Sequence, residues 1–305
     1  MDVSIIIVNY NTKDLIKNCI NSIYKHTKDV DFEIIVSDNG SVDGSIEMIK
    51  SEFPNVILIE NNANLGFGAA NNRGLKIAKG KYIFYLNSDT VLLNNAVKYF
   101  FDYWETSPEK NEIGALGGNL LDINGNVTDS FGTFISPNKI IVDLIKANYG
   151  MIKYLVKWIF GKRNFGITKQ IPKYEYYVGT VDSVVGADLF MKNDLNAFYD
   201  ENIFLYYEEL DLQFQLNKIG KKRLLIEGPK IIHLEGQSSK SKKLLFMEEI
   251  TKFSSINKNI SRIYYCKKNI SKFKALIIKI LTLTMWLNPL LIKYTYKYIP
   301  QLIKR

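Results

Sequence analysis

Four short apolar runs open the chain, and each ends in a polar loop. "VSIIIV" (3–8), "FEIIVS" (32–37), "VILIE" (56–60) and "KYIFYL" (81–86) are continuous and rich in β-branched residues. That is the pattern of strands covered on both faces. Between the first two, Leu15, Ile16, Cys19, Ile20, Ile23 and Tyr24 recur at helical spacing, with Thr12 placed to cap the helix. Asp43 or Ser45 is placed to cap a short helix around Ile46–Ile49, and Gly80 to close the helix that precedes the fourth strand. Strand and helix in alternation predict an α/β fold with a parallel, doubly wound sheet.

Beyond residue 90 the alternation loosens. "GALGGNL" (114–120) predicts another strand, and "DINGNV" carries an Asn-Gly hairpin signal. "VDSVVGADLFMKND" (181–194) reads as strand then turn, and "YYEELDLQFQLNKIG" (206–220) as a helix ending at Gly220. "RLLIEGPKIIHLEG" supplies two short strands, and from about Lys242 the pattern is helical to the end.

The polar residues gather where strands finish. The four runs end at Asn9-Tyr10-Asn11, Asp38-Asn39-Gly40-Ser41, Asn61-Asn62 and Asn87-Ser88-Asp89. Open parallel sheets bind ligands beyond the carboxyl ends of their strands. One such cluster is an ordinary turn; four on one edge predict a site. There is no GxxxxGK[ST] loop and no GxGxxG after the first strand, so neither a P-loop enzyme nor a classical dinucleotide enzyme is supported.

Composition changes the picture little. With 305 residues, 47% of them hydrophobic, the chain can build a large core. The net charge of +9 suits nucleic acid, anionic lipid or phosphorylated ligands. Cys19 and Cys266 make no metal or redox pattern and fit a reducing compartment. The apolar run at the N-terminus has no basic start and reads as a strand, not a signal peptide.

"SIIIVNYN", "IIVSDNGSVDGS", "NANLGFGAANNRGLKIAKGKYIFYLNSDTVL", "VVGADLFMKND", "LYYEELDLQFQLNKIGK" and "IIHLEGQSS" occur in this order. As an ordered set they resemble the inverting glycosyltransferases of family two, of GT-A fold, and most of all their rhamnosyltransferase-like branch. The resemblance covers roughly residues 3–240 and implies a nucleotide-sugar-dependent catalytic domain over 1–240. It places Asn9 and Tyr10 against the base and gives Asp38, with Asn39 beside it, to the pyrimidine. Asn72 matches an asparagine of the donor-side helix, whereas Asn71 stands where many members carry an arginine facing the diphosphate. "NSD" sits at the family's D-x-D motif, so Asp89 is the implied metal ligand, with Asn87 and Ser88 left to ribose or sugar. His233 is the implied second ligand, for Mn2+ or Mg2+; imidazole tolerates manganese better than magnesium. The other histidine, His26, ends an amphipathic helix and reads as a surface residue. "EELDL" matches E-D-x-D-L and puts Glu209 on the catalytic base, with Glu208 and Asp211 as fallbacks. Glutamate in place of aspartate there is a departure from the family. Gly186 and Ala187 fall on the implied acceptor-side strand, where small residues admit the acceptor. Asp188 receives no role.

Two segments lie outside that set. Residues 140–173 are basic and amphipathic, with Trp158 suited to an interface, and 241–305 form an apolar, lysine-flanked helical extension. Lys279, Asn288 and Pro289 interrupt the longest apolar stretch, so lying on a membrane is expected over spanning it. The expectation is therefore a metal-dependent transferase at the cytoplasmic face of the cell membrane. It would move rhamnose from dTDP-rhamnose, or a hexose from a UDP-hexose, to a growing, lipid-linked surface glycan. The same helices could instead pack on the catalytic domain or in a homodimer. Three rivals stand beside it: a nucleotidyltransferase acting on a sugar phosphate, a nucleic-acid-binding protein, and a transferase-like domain that binds without turnover. No nucleic-acid-binding signature is present, so no nucleic-acid partner is expected.

Overall fold

The computed structural model describes residues 1–160, 173–234 and 252–305. The chain forms two compact units. The first comprises Met1–Phe134, Pro172–Asn202 and Glu208–Gln237; the second comprises Ile135–Ile171, Ile203–Tyr207 and Ser238–Arg305.

The first unit opens with β1 (Val3–Asn9), α1 (Lys13–His26), β2 (Phe32–Asp38), α2 (Ser45–Glu52), β3 (Ile57–Glu60), α3 (Phe67–Leu75) and β4 (Tyr82–Asn87). Then come β5 (Thr90–Leu92), α4 (Ala96–Thr106), β6 (Ile113–Gly117), β7 (Leu120–Leu121) and β8 (Phe131–Gly132). After the segment that leaves for the second unit follow β9 (Gly179–Val181), β10 (Ser183–Val184), β11 (Asp188–Lys192), α6 (Glu208–Lys218), β12 (Lys222–Leu225) and β13 (Ile231–His233). The main sheet runs β3-β2-β1-β4-β11-β6-β12-β9. β1 lies parallel to β2 and β4, and β2 to β3; β11 enters antiparallel between β4 and β6. This is the mainly parallel α/β sheet expected from the sequence. The alternation of side chains along a strand explains why β1 has no polar face. Ile5 and Ile7 enter a core with Ile16, Cys19 and Ile20 of α1 and Phe100 and Trp104 of α4. Ile6 enters a second core with Ile35, Ile83, Leu212 and Leu216.

A separate three-stranded sheet, β5-β13-β7, positions the site. β5 and β13 pair antiparallel with Thr90 opposite Ile232's neighbour, His233. Residues far apart in sequence thus meet by register alone.

Some local expectations change. Thr12 holds the N-cap position of α1, but its hydroxyl makes no capping bond. It donates instead to Asn9 Oδ1 at 2.6 Å and lies 3.0 Å from Ser88 Oγ. Asp43 supplies the acceptor, taking the Lys13 N–H at 2.9 Å and the Ser45 N–H at 3.1 Å, and so serves two helix starts. α3 ends well before Gly80. That glycine is required because a Cβ would collide with the backbone of Val3 and Ser4 where the chain crosses β1. Gly220, at φ +77°, closes α6 as expected. Gly125, at φ +81°, turns the hairpin in which Leu121 bridges Val127.

The second unit is helical where described. α5 (Pro137–Ile159) lies against the helix Lys272–Trp286, which also packs with the helix Phe253–Asn269. Asn148 of α5 donates to the Leu281 carbonyl at 3.0 Å and accepts from the Thr284 hydroxyl at 3.1 Å. The segment 140–173, expected as an insertion in the catalytic domain, therefore groups with the C-terminal helices as far as it is described. Its Leu144 and Met151 are buried there. Lys162 and Arg163 lie outside the described residues, as do Gly236, Gln237 and Ser238 of "HLEGQSS". Among the described residues no helix is long and apolar enough to cross a membrane.

Candidate active site

The ends of β1 and β2 are locked to each other. Asn9 is fully buried, and its amide nitrogen donates to Asp38 Oδ2 at 2.7 Å and to Ser41 Oγ at 3.0 Å. Asp38 is also fully buried, and its Oδ1 accepts the backbone N–H of Gly40 at 3.0 Å and of Ser41 at 2.8 Å. Three donors converge on this carboxylate, which is why a buried acid is tolerated. Asn39 bonds the Gly66 carbonyl at 3.2 Å and receives the Asn61 amide at 3.1 Å. Asn72 accepts from the Tyr199 N–H at 3.0 Å and donates to the Tyr199 carbonyl at 2.9 Å and to Glu201 at 3.0 Å. Asn9, Asp38, Asn39 and Asn72, which the resemblance gives to the donor, are held by hydrogen bonds within the fold. They are buried, and their polar atoms are engaged in fixing the strand ends and the 199–201 loop. Asn71, also buried, donates to the Phe67 carbonyl of its own helix at 3.2 Å. Tyr10 is different: the residue is 48% exposed just past the end of β1, where an aromatic ring can stack on a planar ligand.

The end of β4 is arranged otherwise. His233 Nε2 lies 3.3 Å from Asp89 Oδ1 and 3.4 Å from the Asn87 amide nitrogen. The pairing of Thr90 with His233 creates this approach, and the Thr90 hydroxyl donates to the Asn87 carbonyl at 2.7 Å to fix the corner. Asn87 Oδ1 is buried without a hydrogen-bond partner among the described residues. An imidazole nitrogen, a carboxylate oxygen and an unengaged amide oxygen are compatible donors for a hard divalent cation. Two ligands at about 2.1 Å and a right angle stand about 3 Å apart, close to the observed separation. Among the described residues no group of three His, Cys, Asp or Glu side chains could hold an ion by itself. A cation here would need oxygens from a ligand, as phosphate-bound Mg2+ and Mn2+ commonly do. Beneath the corner, burial first of all pushes the Cys19 thiol up to about 12, so it stays protonated and inert.

Gly186 and Ala187 are not on a strand. They form the turn between β10 and β11, because the Asp188 that follows begins β11. Asp188 is buried, and its Oδ2 accepts the Gly118 N–H at 2.7 Å, a structural role the sequence left unassigned. Burial raises its carboxyl well above the ordinary range, partly opposed by that hydrogen bond. The turn still joins two parts of the site. The Ala187 carbonyl accepts the Asn87 N–H at 3.1 Å, and a Cβ on Gly186 would rest 3.4 Å from Glu209 Cβ.

Glu208 and Glu209 begin α6, where the helix dipole favours a carboxylate. Their surroundings differ. Glu208 is buried against α3, and its Oε2 has no partner among the described residues. Desolvation, then the charge of Glu209, raises its carboxyl well above the usual range. Glu209 is half-buried and faces the Gly186 turn. Asp211 is buried further along the helix. The sequence did not single out Thr90 or Tyr199, and it marked Thr12 only as a helix cap. All three act through contacts across the fold, which no local pattern marks.

The profile of the family described as Glycosyl transferase family 2 matches residues 4–157. The chain belongs to that family. It is 34% identical over 149 residues to a poly(ribitol-phosphate) beta-glucosyltransferase of Bacillus spizizenii, covering 47% of this chain and 23% of that protein. It is 36% identical over 160 residues to a UDP-Glc:alpha-D-GlcNAc-diphosphoundecaprenol beta-1,3-glucosyltransferase of Escherichia coli, covering 50% and 56%. The matches thus span about a quarter and about half of those relatives. A mannosyltransferase of Pyrobaculum calidifontis, solved with GDP-Man and Mn2+, superposes with a TM-score of 0.52 at 14% identity, over 99% of this chain and 73% of that one. That likeness is one of fold, the GT-A type.

Proposed function

We propose that this chain is an inverting glycosyltransferase that moves a sugar from a nucleoside-diphosphate donor to a glycan hydroxyl. The observation that carries the reading is the approach of His233 to Asp89 beside the orphaned Asn87 oxygen, at the carboxyl end of β4. In this reading Asp89 and His233 hold Mn2+ or Mg2+, and Asn87 and Ser88 face the donor. The cation supplies Lewis-acid stabilisation of charge on the departing diphosphate. Tyr10 stacks on the base. Glu209 takes the proton of the acceptor hydroxyl as its oxygen attacks the anomeric carbon, and the Gly186 turn leaves room for that hydroxyl. The contrast between a buried Glu208 and a half-buried Glu209 facing the Gly186 turn favours Glu209 as the base.

Both bacterial relatives are named glucosyltransferases and the Escherichia coli one is named for UDP-Glc, which supports a UDP-hexose donor ahead of dTDP-rhamnose. The diphosphoundecaprenol in one of those names supports a lipid-linked acceptor. Incubation with UDP-glucose, dTDP-rhamnose and Mn2+ tests the reading. Release of nucleoside diphosphate with transfer to a lipid-linked glycan is expected. Pyrophosphate release from a nucleoside triphosphate would instead favour the nucleotidyltransferase.

A further inference from the structure

The overall charge of +9 conceals a division. The segments of the first unit contain 18 Lys and Arg against 28 Asp and Glu, a net of −10; those of the second contain 22 against 3, a net of +19. Within the second unit, α5 has two apolar stripes. One, with Leu144 and Met151, is buried with the helix Lys272–Trp286. The other consists of Val142, Ile145, Tyr149, Ile152, Val156 and Ile159, each between 47 and 64% exposed. Their spacing of three and four residues sets them within an arc of about 100° along the whole helix. Lys139, Lys146, Lys153 and Lys157 recur along the edge of that arc, within about 40° of one another. Lys153 lies 4.4 Å over the ring of Tyr149. The neighbouring helix repeats the arrangement, with Phe273, Leu276 and Ile280 exposed beside Lys272 and Lys279.

A soluble helix with one buried stripe is ordinarily polar on its other side. An apolar stripe with a lysine row fits an interface in which hydrocarbon meets negative charge. We infer that the exposed face of α5 docks on an anionic lipid surface, with the six apolar side chains in the acyl boundary and the lysine row on the headgroups. Pairing with a second copy through this face would bring two units of net +19 together. Nucleic acid would leave the apolar stripe without a counterpart. The inference goes beyond the catalytic reading and does not depend on it, because vesicle binding involves no sugar transfer.

The test is flotation of the full chain with phosphatidylcholine vesicles, with and without about 30% phosphatidylglycerol. The chain should float with the anionic vesicles, lose most binding in high salt, and remain behind with neutral ones. Ile145→Asp with Ile152→Asp should weaken binding at least about tenfold. Each of Lys146→Ala and Lys153→Ala should weaken it about fivefold. Unchanged thermal melts separate lost docking from lost folding. If the aspartate pair does not fold, the lysine variants, confined to the exposed row, still decide the matter. Equal binding to neutral vesicles, or wild-type binding by both sets of variants, overturns the inference. So does a dimer in light scattering that the aspartate pair dissolves while no vesicle binding is seen.

Discussion

The carboxyl ends of β1 and β2 and the carboxyl end of β4 carry similar residues in different states. At the first, Asn9, Asp38, Ser41 and Thr12 bond one another and the backbone. At the second, an acid, an imidazole and an amide approach to 3.3–3.4 Å, and an amide oxygen remains unmatched. Burial alone does not separate the two, because His233 is as hidden as many of the scaffold residues. Satisfaction of hydrogen bonds does. A closed polar network rigidifies, while an unmatched group leaves an atom that a ligand can meet.

Substitution should separate the two ends by what is lost. The largest effect is expected at Asp89→Ala, which should lower turnover about a thousandfold or more while leaving the melt unchanged. Chelation by EDTA should act alike and be reversed by Mn2+; turnover close to wild type with the alanine would remove Asp89 from the site. Glu209→Gln should reduce transfer about 10²–10³-fold while donor affinity, read by calorimetry, stays within a few fold. Unchanged transfer would move the base elsewhere. At the closed end, Asp38→Ala should act on stability. Three donors lose their acceptor, at about 3 kcal/mol in chemical denaturation, and donor affinity measured on the remaining folded protein should change little. A selective loss of nucleotide binding would show that this carboxylate also faces the ligand.

The smallest effect sharpens the same contrast through pH. The raised carboxyl of Asp188 holds its proton more tightly in the fold than in the unfolded chain, where the ordinary value is 3.8. Stability from this group therefore falls as pH rises from that value toward its own raised one. Asp188→Asn keeps an acceptor for the Gly118 N–H. It should flatten the decline in thermal melts as pH rises above the ordinary carboxyl value, a shift of a few degrees. An unaltered pH profile would show that the carboxyl is ionised in the fold.

The central strands were legible because both faces of β1 and β4 are apolar, and only a two-sided core uses such runs. The lysine-flanked character of 140–160 was equally visible, since it rests on spacing alone. Its grouping with the C-terminal helices was not, because Leu144 and Met151 look the same whichever surface buries them. Thr12 misled because capping propensity is local, whereas its hydroxyl is drawn to Asn9 and Ser88 from other parts of the fold. Gly80 read as a helix stop but answers to the nearness of β1. The family pattern singled out Asp89, His233 and Glu209, but it could not reveal that Asp38 and Asn72 already have their partners.

The three-residue strand that carries His233 has a consequence for which changes of length the chain can bear. Neighbouring positions on a strand face opposite ways, so removing one residue from the turn Glu227–Lys230 would present Leu234 where the imidazole now stands. The turn is short, exposed in part and distant in sequence from Asp89, the kind of place where a deletion passes unnoticed in most proteins. Here its residue count acts as a ruler, and a chain shortened there could fold fully and still be chemically blank.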